Sequence, residues 1–516
     1  MKRHNLYAAL MLAAIGYGCA KGPSASNPTT DVAKLSEAAP KYAQTITAAD
    51  LSKHLYIIAS DEYEGRNTGE KGQKMAAEYI AREFREDGLA GPVKGGANPY
   101  YQTFDLQKSS WGDGHITIGK EKYLMMQDFF PFGVSPFSTE QTLGAVYATD
   151  ASQIADNASG KLVVTMLANP AEMQTKMRSF GAAAEKAGAK GVVYVLGAEE
   201  YRTTAERFSH RLSQPSLSQM SNGNTASTRP ATIITSPTVG AAILGTTPEK
   251  MQQAVASASL KPSSDIRILM SRKAEPLATE NVLGFVEGTD KKDEVIIVTS
   301  HYDHVGVDES LEGDKIYNGA NDDGSGTVAV IELAEAFAQA KKDGYGPRRS
   351  VLFMTVTAEE KGLLGSEYYA NNPIFPLANT VANVNIDMIG RMDYTHEKTN
   401  DSNYIYVIGA DKLSSELHQI NEEMNQKHVN LKLDYTFNDE NDPNRFYYRS
   451  DHYNFAKNGI PIVFYFNGVH DDYHKPGDEA DKIIYESAEK VSRLAFHVTW
   501  ELANRENRIV VDSNKK

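Results

Sequence analysis

Only one cysteine, Cys19, occurs in 516 residues, so no disulfide can form within the chain and stability has to come from sources other than cross-links. Basic charge is also short. There are 53 Lys and Arg against 67 Asp and Glu, a net charge of -14, and a nucleic-acid partner would need a basic face, so none is expected. The apolar run from Leu6 to Tyr17 falls short of the roughly 20 residues needed to span a bilayer. No repeat of fixed period is present, which excludes solenoid architectures. What remains is an ordinary globular composition, 41% hydrophobic and 23% charged, in a chain long enough for two to four folded units at about 100 to 200 residues each.

The N-terminus carries Lys2 and Arg3, the short apolar run and then small residues before Cys19, the pattern of a secretory signal over 1–18. Gly18-Cys19 resembles a bacterial lipoprotein cleavage site. That resemblance implies a lipidated Cys19 as the sole membrane attachment and a place on the outer surface or periplasmic face of a membrane. Gly16 and Tyr17 depart from the pattern, leaving ordinary cleavage and secretion open. Residues 19–45, rich at first in Ser, Pro, Asn and Gly, read as a flexible tether.

Beyond the tether, the texture changes twice. Residues 46–119 and 269–516 read as one domain, interrupted at 120–268 by a smaller α+β module with short apolar runs separated by Ser, Asn, Pro and Thr. The module's stretch from Gly188 to Val195 resembles the protease-associated domain that interrupts many secreted peptidases. From Glu294 onward, runs such as Val295–Thr299, Val351–Thr357, Val381–Ile386 and Pro461–Phe466 are apolar on both faces and alternate with helical patterns. Such runs suit an α/β fold, with a mixed, mainly parallel central sheet flanked by helices.

Open sheets of this kind place ligands at the carboxyl ends of their strands. Here those ends lead into His301-Tyr302-Asp303, Glu359-Glu360, Asp387 and Tyr473-His474, while Gly319 to Gly326, with Asp322 and Asp323, opens a helix. The glycine-rich loop lacks the lysine of a phosphate cradle and the ligand alternation of an EF-hand. Its acids are better read as carboxylates aimed at a metal.

Taken in order, these five motifs resemble the co-catalytic dizinc exopeptidases, a family that includes bacterial secreted aminopeptidases, aminopeptidase Y and glutamate carboxypeptidase II. The resemblance implies two Zn2+, with other divalent metals possible. One would be held by His301 and Asp387, the other by Glu360 and His474, with Asp322 bridging. It further implies a cis Asp322–Asp323 peptide, Glu359 as the general base, Asp303 as the carboxylate orienting His301, and Tyr447 as a donor to the oxyanion. The substrates would be peptides cut by an aminopeptidase, or by a carboxypeptidase or dipeptidase using Arg391 or Arg449 to hold a free carboxylate. Glutaminyl cyclases share the fold but enclose their substrate with tryptophans, and the two here, Trp111 and Trp500, lie away from every motif.

Overall fold

The structure, a computed structural model, describes residues 32–133, 136–167, 172–220, 229–257 and 259–512. The expected signal segment and Cys19 lie outside them. Among the described residues no helix is long and apolar enough to cross a membrane.

The chain forms an α/β fold around a mixed, largely parallel sheet. From one edge its main strands are Lys432–Asp434, Tyr404–Ile408, Ile462–Phe466, Thr380–Ile386, Lys291–His301, Arg349–Val356, Ile266–Val286 and Tyr101–Ile118. The four at the centre, from Ile462–Phe466 to Arg349–Val356, are mutually parallel. Thr380–Ile386, Arg349–Val356 and Ile462–Phe466 are buried along their whole length, as expected for strands covered on both faces. One face packs on the helices Ala48–Ile58, Lys71–Glu86, Gly326–Lys342 and Tyr485–Asn504. A smaller apolar cluster that includes Tyr369, Phe455 and Ile460 covers part of the other.

The tether expected over 19–45 ends by Val32. Val32–Ala43 is a helix whose Leu35, Ala39, Tyr42 and Ala43 are buried, and the Trp500 indole donates to the Leu35 carbonyl at 3.0 Å while Tyr42 stacks on the Trp500 ring. Its apolar stripe is short and carries an internal Pro40. A proline inside a helix costs about 3 kcal/mol, so local propensity hides an element that tertiary packing holds in place.

Residues 129–235 build a second, five-stranded sheet in the order Phe129–Phe132, Ala231–Thr235, Gly191–Val195, Leu162–Met166, Ala145–Tyr147. It has apolar clusters on its two faces. The two sheets are joined by a long antiparallel ribbon, Tyr101–Ile118 paired with Ile266–Val286 from Tyr101↔Val282 to Ile118↔Ile266. Phe104 and Leu106 pack against Ala358 and Leu364 beside the central sheet, while Ile116, Ile266, Ile268 and Met270 belong to the core of the second sheet.

Candidate metal centre

Four parallel strands end on the same side of the central sheet, and the loops that follow them meet at one point. His301 is the last residue of its strand, Asp387 follows Thr380–Ile386, Glu359 and Glu360 sit in the turn after Arg349–Val356, and His474 lies in the loop after Ile462–Phe466. Asp322 comes from the loop before the helix Gly326–Lys342, and its peptide bond to Asp323 is cis. The structure thus brings together all five residues expected to hold metal. His301 Nε2 lies 3.2 Å from Asp322 Oδ1 and 3.7 Å from Asp387 Oδ1. His474 Nε2 lies 3.0 Å from both Asp322 Oδ2 and Glu360 Oε1. Asp322 therefore directs one oxygen to each histidine.

Several of these atoms are buried without a hydrogen-bond partner, among them Asp387 Oδ1, Glu360 Oε1 and His474 Nε2. An unsatisfied buried polar atom costs about 1–3 kcal/mol; three meeting at one place call for a cation. The ionisation of the site says the same. Burial disfavours a charged Asp322, yet its close contacts with the His301 and His474 imidazoles hold its carboxyl well below the usual range. Burial and the charge of Asp322 push Glu360 up, but His304 and His474 outweigh them and bring it to about 2. Burial also opposes a charged His474, and its contacts with Asp322 and Glu360 raise it to about 10. The carboxylates thus keep positive charge beside them, and divalent metals displace protons from such groups. Imidazole with carboxylate donors is the set that zinc takes.

Glu359 differs from its neighbour. Its Oε2 lies 3.8 Å from His301 Nε2, and burial, reinforced by the charges of Glu360, Asp451 and Asp387 against that of His301, lifts its carboxyl well above the usual range. A carboxyl of raised proton affinity is, in its ionised form, a stronger base than an ordinary glutamate, suited to accept a proton and pass it on.

Two of the expected residues, Asp303 and Tyr447, make contacts other than those expected of them. The His301 ring is oriented by the main-chain carbonyl of Asp303, 3.1 Å from Nδ1, whereas the Asp303 carboxylate stands 3.9 Å away. That carboxylate instead accepts from the Glu359 amide at 3.1 Å and the Thr68 hydroxyl at 2.9 Å, so it places the loop that carries Glu359. Tyr447 does not line the cavity at the centre. Phe446–Tyr448 is a tight 3-10 turn, in which residues three apart share a face, so Phe446 and Arg449 line the cavity while the Tyr447 ring packs near Tyr448, His452 and Tyr453. The tyrosine on the cavity wall is Tyr473, stacked on His474 with ring centres 4.0 Å apart.

Other contributors carry weak sequence signals. Ser450 donates to Asp387 Oδ2 at 2.7 Å, and Asp478 accepts from the amides of Asn321 and Asp322 at 3.0–3.1 Å, stapling the bridging loop. The fully buried Arg66 donates to the carbonyls of Ile58, Tyr302, Asn318 and Gly319 from a segment without any metal motif. Asp323, beside the bridge, spends its carboxylate on the amides of His301, Gly326 and Met388; Gly326 is required there because a Cβ would come 2.5 Å from that carboxylate. The cavity is otherwise walled by Met388, Phe464, Phe466 and Val469. A separate cleft opens between Lys108, Gln214 and Leu217 on the ribbon side and Asn67–Glu70, Val305 and Lys361.

Residues 281–499 match the model of peptidase family M28. Within the M28-matching region lie His301, the Asp322 loop, the glutamate pair, Asp387 and His474, whereas Arg66 and Thr68 lie before it. Curated relatives include aminopeptidase YwaD of Bacillus subtilis, 26% identical over 45% of this chain and 46% of its own, and leupeptin-inactivating enzyme 1 of Streptomyces exfoliatus, 30% identical over 38% of this chain and 39% of its own. A probable zinc metalloprotease of Leptosphaeria maculans is 31% identical over 26% of this chain and 29% of its own. The aligned stretches thus span less than half of these relatives. Among solved structures, an aminopeptidase from Aneurinibacillus sp. strain AM-1 superposes with a TM-score of 0.54 at 18% identity, over 92% of this chain and 98% of its own. At that identity the likeness supports the fold.

Proposed function

We propose that the protein is a zinc-dependent exopeptidase, and specifically an aminopeptidase. The observation that carries this reading is the meeting of His301, Asp322, Glu360, Asp387 and His474 around buried, unpartnered donor atoms, with the proton-retaining Glu359 beside them. The names of the relatives agree with it. His301 and Asp387 would hold one zinc, Glu360 and His474 the other, and Asp322 both. The zinc pair would supply an acidified water and a polarised scissile carbonyl. Glu359 would serve as the base that takes a proton from the attacking water and as the acid that returns it to the leaving amine; groups in this role contribute about 10²–10⁴-fold in rate. Tyr473 takes over the oxyanion role expected of Tyr447. The apolar wall of Phe446, Phe464 and Phe466 favours an apolar terminal side chain.

Arg449 supports a second reading. It lies on the cavity wall with its guanidinium over the Phe446 ring, donates to the Tyr473 hydroxyl at 3.4 Å and forms no ion pair among the described residues, whereas Arg391 is paired with Asp472 at 3.2 Å. An uncompensated guanidinium suits a carboxylate, as in a carboxypeptidase or dipeptidase. Cyclisation finds no support, because Trp111 packs under Arg272 and Trp500 in the helical layer. The protease-associated reading of the inserted module and the lipoprotein reading of Cys19 rest on sequence alone.

The deciding experiment is an amide-hydrolysis panel of free and N-blocked aminoacyl and dipeptide substrates, run before and after chelation with zinc, cobalt and manganese added back. Activity that survives complete metal removal sinks the metallopeptidase reading, and cleavage confined to N-blocked substrates with a free carboxylate replaces the aminopeptidase by the carboxypeptidase.

A further inference from the structure

His304 is an imidazole beside the centre to which the chemistry above assigns no task. It is fully inaccessible, and neither of its ring nitrogens has a hydrogen-bond partner. Nδ1 stands 2.9 Å from Glu360 Oε1 and 4.0 Å from Asp322 Oδ2, in an alignment that makes no hydrogen bond. These are the two oxygens that His474 Nε2 approaches at 3.0 Å. The two imidazoles stand edge to face with their centres 5.6 Å apart, so two ring nitrogens close on one pair of carboxylate oxygens.

The chain builds a fitted seat for this ring. The His304 amide donates to the Arg66 carbonyl at 3.2 Å, and Arg66 is itself locked by four carbonyls. Gly319 adopts φ +55°, and a Cβ there would come 2.5 Å from the His304 ring. A buried ring nitrogen left unpaired is costly, and a cation shared with Glu360 and Asp322 would satisfy Nδ1, the nitrogen that faces them.

We propose that His304 is a fourth protein donor at the position formed by Asp322, Glu360 and His474. The proposal rests on the dizinc reading. It makes the two positions unequal: four protein donors complete a tetrahedral shell, as in structural zinc sites, whereas His301, Asp387 and the shared Asp322 leave a place for water. One zinc is then a fixed support, and the other faces the substrate.

The test is X-ray absorption on full-length protein reconstituted with one equivalent of zinc, together with competitive zinc titration of His304→Ala, His304→Gln and, as a benchmark, His474→Ala. Two imidazoles on the tighter zinc of the unsubstituted protein are expected, falling to one in each variant. The expected loss in zinc affinity is at least about 100-fold, matching His474→Ala and above the roughly 10–100-fold typical of an outer hydrogen-bonding partner. A single imidazole on the tighter zinc, or His304 variants that keep both affinities within about tenfold, overturns the proposal while leaving a dizinc enzyme intact. A protein that binds no zinc overturns the dizinc reading and the His304 assignment together. The measurement on the unsubstituted protein decides the matter even if the variants fold poorly.

Discussion

The two sheets of this protein solve different problems with the same kind of strand. In the inserted module the interior is almost wholly apolar: Leu162, Val163 and Val164, then Val192, Val193, Tyr194 and Val195, then Ile233 and Ile234. In the central sheet the strands that lead to the metal centre carry buried amides and hydroxyls, and these form a connected path. Asn383 donates to Thr299 at 2.9 Å, Thr299 to Asn385 at 2.6 Å, Asn385 to Ser450 at 2.9 Å, and Ser450 to Asp387 at 2.7 Å. A sheet that only holds a shape is filled with hydrocarbon. One that must aim a carboxylate trades some of that burial for hydrogen bonds whose geometry is fixed.

The contrast can be broken most severely at Glu359. Glu359→Gln should lower turnover by about 10²–10⁴-fold while zinc content, counted by mass spectrometry, stays at the wild-type value; zinc loss in step with activity would move Glu359 into the ligand set. Next comes the module. Ile233→Ala removes a fully buried side chain and should cost about 2–5 kcal/mol, read as a lower thermal midpoint, with kcat per folded molecule unchanged. If kcat falls in parallel, the module is coupled to the centre more closely than its separate apolar clusters suggest.

The polar path is tested more gently by Ser450→Ala. Removing the hydrogen bond that orients Asp387 should weaken zinc binding by roughly 10–100-fold, measured by competition with a chelator, and an unchanged affinity would reduce the path to ordinary core polarity. The smallest effect at neutral pH is expected from His497, a counterpart to His474. Burial first, then the charges of His428, Lys427 and Arg493, bring His497 down to about 3. Its unfolded value is about 6.5, so its neutral form supports the fold above pH 6.5, and stability is lost as pH falls from there towards 3. The loss is about 0.4 kcal/mol at pH 6.5 and grows by about 1.4 kcal/mol per unit below that. His497→Leu should therefore move the acid-unfolding midpoint to lower pH; an unmoved midpoint would mean that carboxylate protonation dominates acid unfolding.

Strand ends were the legible part of this molecule. Runs apolar on both faces identify the central parallel strands, and the residues immediately after them are the ones the fold gathers, so His301, Glu360, Asp387 and His474 can be read in order along the chain. Groups that act through the third dimension were not legible. Ser450 and Asp478 serve residues far away in sequence, and no local pattern distinguishes them from any serine in a turn or aspartate after a glycine. Arg66 reaches the site from a segment whose only local features are glycines and acids. Tyr447 and Tyr473 were told apart by a 3-10 turn that rotates one ring away, a matter of about 120° in side-chain direction per residue that no composition reveals. The Asp303 carbonyl orients His301 where a carboxylate was expected, because main-chain groups are invisible to a reading of side-chain types. Helix Val32–Ala43 was hidden by its own proline and by the polar stretch before it.

The antiparallel ribbon has one further consequence. Its two strands cross from one hydrophobic interior to the other without a break in hydrogen-bond register except near Trp111 and Gly114, so the module is mounted as a cantilever rather than hung from a string. Bending of such a pair would be easiest where the register shifts, between Trp111 and Gly114. Lys108 and Leu277, on the two rods, border the same cleft as Asn67, Val305 and Lys361, so any such flexing would change the width of an opening whose far wall is sequence-adjacent to His304 and Glu360.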